Sequence, residues 1–211
     1  SDVMKKGIEL EYFTVDSSGK LATAENLAEK FEFADPEFAK CIIEIKSDPY
    51  ETVEELREDI KRKILNVVDE AEKQELYLVP LGTPLNHENI ELIESERLEL
   101  MRQFNTQDIK IEKELARIGF HIHFEKKNVK DQLNILTALD PASAVLNSSP
   151  YHKGENKASS CRNWVYRYDW TPKFPSSIKL WEYTQSVEKW KQRMHSAFDQ
   201  FKQGALEAGV K

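Results

Sequence analysis

Two glutamates near the start of the chain are spaced so that they could bind one ion together. They stand in the run Gly7-Ile8-Glu9-Leu10-Glu11. Side chains at i and i+2 of a β-strand point to the same face, so Glu9 and Glu11 would share a face if this run is a strand. On a buried face their charges are costly unless a cation lies beside them or one carboxyl is protonated, and a divalent metal is a natural occupant. The alternative is an exposed strand face that carries two solvated glutamates.

A third acid, Glu44, stands alone among isoleucines in a run that is otherwise typical of a buried strand. The even-numbered face of this strand could be solvated, because Lys40 and Lys46 share it, but Ile42 is on that face too and weakens this interpretation. Glu37 lies seven positions before Glu44, so in a regular strand it would face the opposite side. We expect Glu37 to join Glu44 only from a bend or bulge before the strand.

Two histidines, His121 and His123, share one face of a third predicted strand, because residues 119–125 alternate between apolar and polar side chains. His-x-His is a common spacing of metal ligands, since both rings can converge on one ion. A zinc site with hydrolytic chemistry is therefore one interpretation. The other is a pair of partly buried histidines that are hydrogen-bonded to their neighbours, and the spacing alone does not separate the two.

Hydrophobic periodicity predicts the elements that must position these residues. Strands are predicted over residues 5–15, 38–46, 76–80 and 119–125, and helices over 24–33, 52–74, 128–146 and 177–206. Thr52 and Glu55 form a capping box that defines the start of the second helix. Pro141 is expected to kink or restart the third helix. Residues 85–114 are predicted as helix with loop.

Length, composition and charge limit the class of protein. With 211 residues, of which 40% are hydrophobic and 32% charged, the chain is expected to form one compact globular domain over residues 4–211. The net charge of −7 argues against a nucleic-acid partner. No run approaches the roughly 18 to 20 apolar residues of a membrane helix, and no apolar signal segment follows the N-terminus. We therefore expect no membrane partner and a cytoplasmic location.

Several common sites are absent from the sequence. Cys41 and Cys161 are too few for a disulfide framework or a four-thiolate metal site, and both are expected to be reduced thiols. The chain contains no Gly-x-Gly run, no P-loop motif and no Gly-x-Ser-x-Gly elbow. A Rossmann site, a P-loop site and a serine-hydrolase elbow are therefore excluded, and any nucleotide must be held in another way.

Taken in order, the motifs resemble the carboxylate-amine ligases of the glutamate-cysteine ligase type 2 family, over residues 7 to about 183. The acidic run with Glu9 and Glu11 opens the match, and the segment 36–45 with Glu37 and Glu44 follows it. The capped helix comes next. The remaining matches are residues 82–84, 119–123, 148–154 and 159–162.

The resemblance implies an α+β fold in which a curved, mainly antiparallel sheet carries helices on one face, as in glutamine synthetase and guanido kinases. It also implies an ATP- and magnesium-dependent enzyme. Such an enzyme joins an amino-acid carboxylate, typically the γ-carboxylate of glutamate, to an amine substrate through an acyl phosphate. This chemistry depends on positioning and on metal ions that neutralise phosphate oxygens. The implied magnesium ligands are Glu9, Glu11, Glu37, Glu44 and His121.

The resemblance assigns roles to individual residues as well. His121 looks like a ligand of the metal or a contact of the phosphate. Arg162 is the implied catalytic residue, because its planar fork suits a substrate carboxylate or phosphate. Glu9, Glu11 and Arg162 are the implied nucleotide-binding residues. The resemblance leaves the role of His123 open.

Members of this family generally continue past the helix around Trp181 into strands that carry a Glu-x-Arg element, and nothing here matches that element. Two functions of different classes therefore remain open. One is an active ligase, and the other is a noncatalytic binding or regulatory module that keeps the acidic groove. A hydrolytic zinc site is a third possibility. Aromatic residues are dense over residues 164–190, a region that could contribute to a homo-oligomer interface.

Overall fold

The computed structural model describes residues 3–82, 90–96, 98, 99, 102, 115–146, 151, 152, 155, 156 and 182–207. The chain divides into two compact units, Ser1–Glu125 and Lys126–Lys211. The expectation of one domain over residues 4–211 is not tested by this division and stays a prediction. Among the described residues, no helix combines the length and the apolar character that crossing a membrane requires.

The first unit is built on a five-stranded antiparallel sheet. Its strands are β1 (Lys6–Asp16), β2 (Ala34–Pro36), β3 (Ile42–Lys46), β4 (Leu76–Val79) and β5 (Phe120–Phe124). Its helices are α1 (Glu25–Ala28) and α2 (Val53–Lys73). The observed architecture is therefore a mixed α/β unit with an antiparallel sheet, in agreement with the broad fold class expected from the sequence.

Strand β1 is the centre of the sheet. Its residues 9–13 pair with β3 along one edge. Along the other edge, residues 6–10 pair with β5 and residues 13–16 pair with β4. Strand β2 pairs with the outer edge of β3 and so completes the order β2-β3-β1-β4, with β5 beside the first half of β1.

Helices α1 and α2 cover one face of this sheet. The predicted capping box is confirmed at the start of α2, where Thr52 Oγ1 accepts from the Glu55 N–H at 3.2 Å and the Glu55 carboxylate accepts from the Thr52 N–H at 3.4 Å. The apolar stripe of α2 then packs on the sheet. The buried residues of this core are Ala24, Leu27, Ala28, Ala34, Ile43, Ile45, Ile60, Val67 and Ala71.

The opposite face of the sheet is apolar at one end and acidic at the other. At the apolar end Phe13 and Ile42 are buried in a second core, which also contains Ala39, Cys41, Leu92, Leu98 and Ala116. On the same face, the neighbouring pair of the two strands is Glu11 and Glu44: Glu11 lies two residues before Phe13 in β1, and Glu44 lies two residues after Ile42 in β3. The alternation predicted for β1 is therefore confirmed, and it places the acids next to a packed core.

A hairpin replaces the single long strand predicted over residues 38–46. The chain forms β2, turns through residues 37–41 and returns as β3, so that Asp35 lies opposite Glu44. The helix in the region predicted over residues 24–33 is shorter than expected and spans Glu25–Ala28. It ends at Ala28, because Ala34 must already pair with Ile45.

Strand β5 differs from its predicted environment. Its alternation predicts a half-buried strand with a polar face, but the apolar side chains of Phe120, Ile122 and Phe124 are 62%, 54% and 43% exposed. Strand β5 lies at the edge of the sheet beside β1, whereas α2 packs against β1, β3 and β4. The alternation along β5 is thus correct, but α2 packs on other strands.

The second unit contains α3 (Val129–Leu146), β6 (Tyr151–His152), β7 (Glu155–Asn156) and α4 (Val187–Glu207). Helix α3 matches its predicted span and runs continuously through Pro141, so the predicted restart does not occur. Helix α4 begins about ten residues later than predicted. Its N-terminal region is defined by Ser186, whose Oγ accepts from the Lys189 N–H at 3.2 Å, and by Thr184, whose N–H donates to Asn134 Oδ1 of α3 at 2.8 Å.

Candidate metal-binding site

The acidic end of the sheet brings together five side chains that the sequence singled out. In the strand register Glu11 lies directly opposite Glu44, and Glu9 lies directly opposite His121. Directly paired residues of antiparallel strands point to the same face. The site is therefore assembled by the pairing of β1 with β3 and β5.

The first cluster consists of Glu11, Glu44 and His121, whose potential ligand atoms all lie within 4.8 Å of one another. Glu11 and Glu44 are only 9% and 6% exposed. His121 Nδ1 lies 4.0 Å from Glu11 Oε1. Two buried carboxylates and one imidazole form a mainly oxygen donor set, which suits a hard divalent cation.

The second cluster consists of Glu9, His121 and His123, so His121 belongs to both clusters. Glu9 Oε2 lies 3.1 Å from His121 Nδ1 and 3.0 Å from His123 Nε2. The two histidine side chains are 43% and 58% exposed. This cluster is richer in nitrogen and more open to solvent than the first one.

The carboxyls of Glu11 and Glu44 ionise less readily than a free glutamate. Burial raises the pKa of the Glu11 carboxyl, and the charges of Glu37 and Glu44 raise it further, against the hydrogen bond from the Gly119 N–H. Burial also raises the pKa of Glu44, although Lys46 Nζ lies 3.2 Å from Glu44 Oε1 and opposes the shift. A bound divalent cation would supply the missing positive charge.

Glu9 behaves differently from the two buried acids. Burial opposes its ionisation, but the hydrogen bonds to His123 and His121 outweigh that effect and lower the pKa of Glu9. The pKa of Glu9 is therefore lowered, whereas the pKa values of Glu11 and Glu44 are raised. Such separation of pKa values is typical of functional sites, and structural ion pairs produce it too.

Glu37 reaches the site face from a bend before β3, which is the route that its spacing from Glu44 required. It follows β2, and its N–H donates to the Ile42 carbonyl at 3.2 Å across the hairpin. Glu37 has the same parity as Asp35, which lies opposite Glu44, so it shares the face of Glu44. Its charge acts on Glu11 and Glu44, but it is in neither cluster of the described residues. Its assignment as a metal ligand stays a prediction.

Gly119 is a residue of the site that motif reasoning missed. Its N–H donates to Glu11 Oε2 at 2.6 Å, and its carbonyl accepts from the Glu11 N–H at 3.3 Å. A Cβ at this position would lie 2.8 Å from His121 Nε2 and 3.2 Å from Glu11 Oε1. The signal in the sequence was a glycine immediately before a strand that carries candidate ligands.

We expect Gly119→Ala to weaken binding of a divalent cation by about tenfold or more, because the new methyl group must displace His121 or Glu11. Titration of the protein with a divalent cation, monitored by calorimetry, measures this change in affinity. Gly82→Ala is the matched control, since a Cβ at Gly82 would meet nothing within 4 Å. Equal weakening in both variants would contradict a local role for Gly119.

The stability of the metal-free protein should fall as pH rises from about 4.5 through the raised pKa values of Glu11 and Glu44. In that window the folded state binds more protons than the unfolded state, so the free energy of unfolding decreases with pH. Urea unfolding at a series of pH values measures the slope. Glu44→Gln should flatten it, and the exposed-site variant Glu58→Gln should not; identical slopes in the wild type and Glu44→Gln would contradict the assignment.

Two further expectations concern residues outside the clusters. Cys41 is buried and unpaired with another cysteine, and burial raises the pKa of its thiol to about 11, so it is protonated at neutral pH. A buried, protonated thiol is a poor nucleophile. Arg162 and Cys161 lie outside the described residues, and the roles assigned to them stay predictions.

A cavity of about 450 Å³ borders Glu9 and His123. Ligand pockets commonly have volumes of about 300–1,000 Å³. Its lining includes the cationic side chains Lys5, Lys6 and Lys46 together with Gly7 and Ser47. The lining also contains the acids Glu9 and Glu125, and Lys46 is paired with Asp35 and Glu44, so the cavity carries charges of both signs.

Two solved structures show limited similarity to the chain. The glutamate–cysteine ligase of Francisella tularensis, solved in complex with AMP, has a TM-score of 0.46 and 20% identity, covering 64% of this chain and 29% of that one. A bifunctional glutathione synthetase from Pasteurella multocida has a TM-score of 0.42 and 17% identity, covering 81% of this chain and 23% of that one. Both TM-scores are too low to assign the fold.

Sequence comparison is more informative. A curated relative from Rhodococcus jostii, named "Putative glutamate–cysteine ligase 2-1", is 29% identical over 164 residues, which cover 72% of this chain and 43% of the relative. The chain thus spans less than half the length of that relative. The family model of glutamate–cysteine ligase family 2 matches residues 5–199, which include all the described residues of the acidic site. The chain therefore belongs to glutamate–cysteine ligase family 2.

Proposed function

We propose that this chain provides the metal- and nucleotide-binding part of an ATP- and magnesium-dependent carboxylate–amine ligase. The observation that carries the proposal is the convergence of Glu11, Glu44 and His121 on one sheet face in a member of this family. The substrates would be a glutamate-like carboxylate and an amine. ATP would phosphorylate the carboxylate, and the amine would then displace phosphate from the acyl phosphate to form an amide.

The residues of the first cluster fit magnesium. Magnesium prefers oxygen ligands and is usually held by one or two carboxylates, with waters and substrate phosphates completing the shell. Glu11 and Glu44 would provide the carboxylates and His121 the third protein ligand. When bound, the ion would neutralise charge on the phosphate oxygens during transfer.

Other residues of this chain would orient the reactants and the ligands. The Gly119 N–H holds Glu11 Oε2 in place, and Lys46 balances part of the charge of Glu44. The cavity beside Glu9 and His123 is the proposed space for an anionic substrate group. Arg162 is proposed to bind a substrate carboxylate or phosphate, and Glu37 is proposed as an additional metal ligand. The glutamine-synthetase-like fold, the cytoplasmic location and a homo-oligomer belong to the same proposal.

Calorimetric titration with a nonhydrolysable ATP analogue, with and without magnesium, tests the binding part of this proposal. Phosphate release in the presence of glutamate and a panel of amines tests the chemical part. Magnesium-dependent binding together with amine-stimulated release would support the ligase. Binding without release would favour the noncatalytic module, and the absence of magnesium-dependent binding would contradict both.

A further inference from the structure

We propose that Lys46 is an anion-binding residue, which is paired with Glu44 before a cation binds there and which then turns to a carboxylate or phosphate group of the substrate in the neighbouring cavity. The inference rests on the proposed function, because it concerns the substrate and the magnesium of that site. It gives Lys46 a role in ligand binding beyond its pairing with Glu44.

Lys46 lies between the acidic site and the cavity. In the register of β1 and β3 it lies directly opposite Glu9, so it shares the sheet face that carries Glu11 and Glu44. Lys46 is also part of the lining of the cavity of about 450 Å³ that borders Glu9 and His123. One side chain therefore borders both features.

The ammonium group of Lys46 has more donors than its two carboxylate partners require. Its Nζ lies 3.2 Å from Glu44 Oε1 and also pairs with Asp35 Oδ2. An ammonium group has three N–H donors and no acceptor, so two carboxylates can take two of the donors. Release from Glu44 would leave two donors for an anion while Asp35 keeps the third.

The pairing with Glu44 is the contact that a bound cation would replace. Glu44 is nearly fully buried and is one of the proposed carboxylate ligands. With a divalent cation beside this carboxylate, the ammonium of Lys46 is no longer its main counter-charge and is repelled by the ion. The flexible four-carbon stem of Lys46 allows its Nζ to turn toward the cavity. Cation binding and anion binding should therefore favour each other.

The other lysines of the cavity do not depend on the ion in this way. The lining contains Lys5 and Lys6 as well as Lys46. Lys6 Nζ donates to the backbone carbonyls of Met4 and Glu51, for which an ion at the acidic site would not compete. Lys46 instead pairs with a proposed metal ligand, so its availability for an anion depends on whether a cation is bound.

Binding of inorganic phosphate and of glutamate to the full chain, without ATP and without magnesium, tests the proposal. Glu44→Gln releases Lys46 from its buried charged partner without any ion. We expect this variant to bind one of the two anions at least about fivefold more tightly than the wild type, because the released donors make charge-assisted hydrogen bonds. Adding Lys46→Met should remove the gain, and adding Lys46→Arg should retain most of it. NMR titration of the isotope-labelled protein measures these affinities.

Two controls separate this effect from a general change of charge. Glu11→Gln removes the same charge from the same site, but Lys46 pairs with Glu44 and Asp35 instead, so the gain should be smaller. Lys40→Met, added to Glu44→Gln, should leave the gain intact. Lys40 is the matched lysine, because it also pairs with two carboxylates, those of Glu25 and Glu91, and these are outside both clusters of the described residues.

A second measurement uses Lys46→Met alone and keeps Glu44. With saturating magnesium this variant should bind the anion at least about fivefold more weakly than the wild type, whereas without magnesium the difference should be less than about twofold. Magnesium itself should bind the variant at least as tightly as it binds the wild type, because a competing positive charge has been removed. A purely structural lysine would have the same effect on anion binding with and without the ion.

Unchanged affinity for both anions in Glu44→Gln, or a gain that survives Lys46→Met, would overturn the proposal. If Glu44→Gln does not fold, an effect of Lys46→Met on anion binding that is equal with and without magnesium would overturn it. The first set of measurements contains neither ATP nor magnesium. Its failure is therefore distinct from a failure of the proposed ligase, which depends on magnesium-dependent binding of the ATP analogue.

Discussion

Replacing Glu11 by glutamine should abolish magnesium-dependent nucleotide binding and leave the stability of the metal-free protein intact or increased. Glutamine keeps an oxygen that can accept from the Gly119 N–H, which lies 2.6 Å from Glu11 Oε2. It removes a buried negative charge that the charges of Glu37 and Glu44 already disfavour. We expect the affinity for magnesium and nucleotide to fall by at least about 100-fold, or about 2.7 kcal/mol. Calorimetry and urea unfolding measure the two effects separately.

The control for this variant is Glu58→Gln, which removes an exposed carboxylate from α2. It should change neither binding nor stability appreciably, because isolated surface charges contribute little. Unchanged magnesium-dependent affinity in Glu11→Gln would contradict the assignment of the first cluster. Substantial unfolding of the metal-free variant would show that the carboxylate is needed for folding rather than for a ligand.

Asp59→Ala should destabilise the protein by about 1–3 kcal/mol, the usual cost of removing the acceptor of a buried donor. The loss is not larger because Lys63 keeps a second carboxylate, with its Nζ 3.0 Å from Asp48 Oδ2. Asp59 and Lys63 are each only 4% exposed, and Lys63 Nζ lies 3.0 Å from Asp59 Oδ2 on the sheet-facing side of α2. Burial opposes the ionisation of Asp59, but the Asp48 N–H and Lys63 outweigh it and lower the pKa of Asp59. The same carboxylate oxygen accepts from the Asp48 N–H at 2.9 Å, so its loss also frees the loop after β3. Denaturant unfolding measures the change.

Two comparisons make this prediction specific. Glu70→Ala removes the half-buried partner of the exposed Lys73 from the same helix and should cost less than about 1 kcal/mol. The double variant Asp59→Leu with Lys63→Met should recover much of the loss, because apolar side chains of similar volume often replace a buried ion pair without penalty. A double variant no more stable than Asp59→Ala would indicate that the lost hydrogen bond from the Asp48 N–H, rather than the weakened pairing of Lys63, accounts for the loss.

The sequence predicted the parts of the fold that depend on neighbouring residues. The capping box of Thr52 and Glu55, the alternation of β1 and the shared face of His121 and His123 are all local patterns, and all three are confirmed. The hairpin of β2 and β3 was missed, because the two short strands and their turn resemble one long apolar run when no pairing is known. The shared face of Glu37 and Glu44 could therefore be predicted only on the condition of a bend before the strand, and the turn over residues 37–41 is that bend.

The register between distant strands could not be predicted from local sequence patterns either. Nothing local indicates that Glu11 lies opposite Glu44 or that Glu9 lies opposite His121. Gly119 escaped notice for the same reason, since its role depends on the approach of Glu11 from another strand. The exposure of Phe120 is a further case: alternation identifies the two faces of a strand but not which face another element covers.

The strands that pair with the two edges of β1 lie at very different distances from it in the sequence. The partners of the β1–β3 pair are close in sequence, whereas Glu9 and His121 are 112 residues apart. The entropy cost of closing a loop grows with its length, so the acids of β1 and β3 can meet in a shorter, less costly segment than the one that delivers the histidines. We therefore expect Glu11 and Glu44 to come together before the histidines of β5 join them. The proposed ion site would then be complete only after β5, which is far from β1 in sequence, has paired with it.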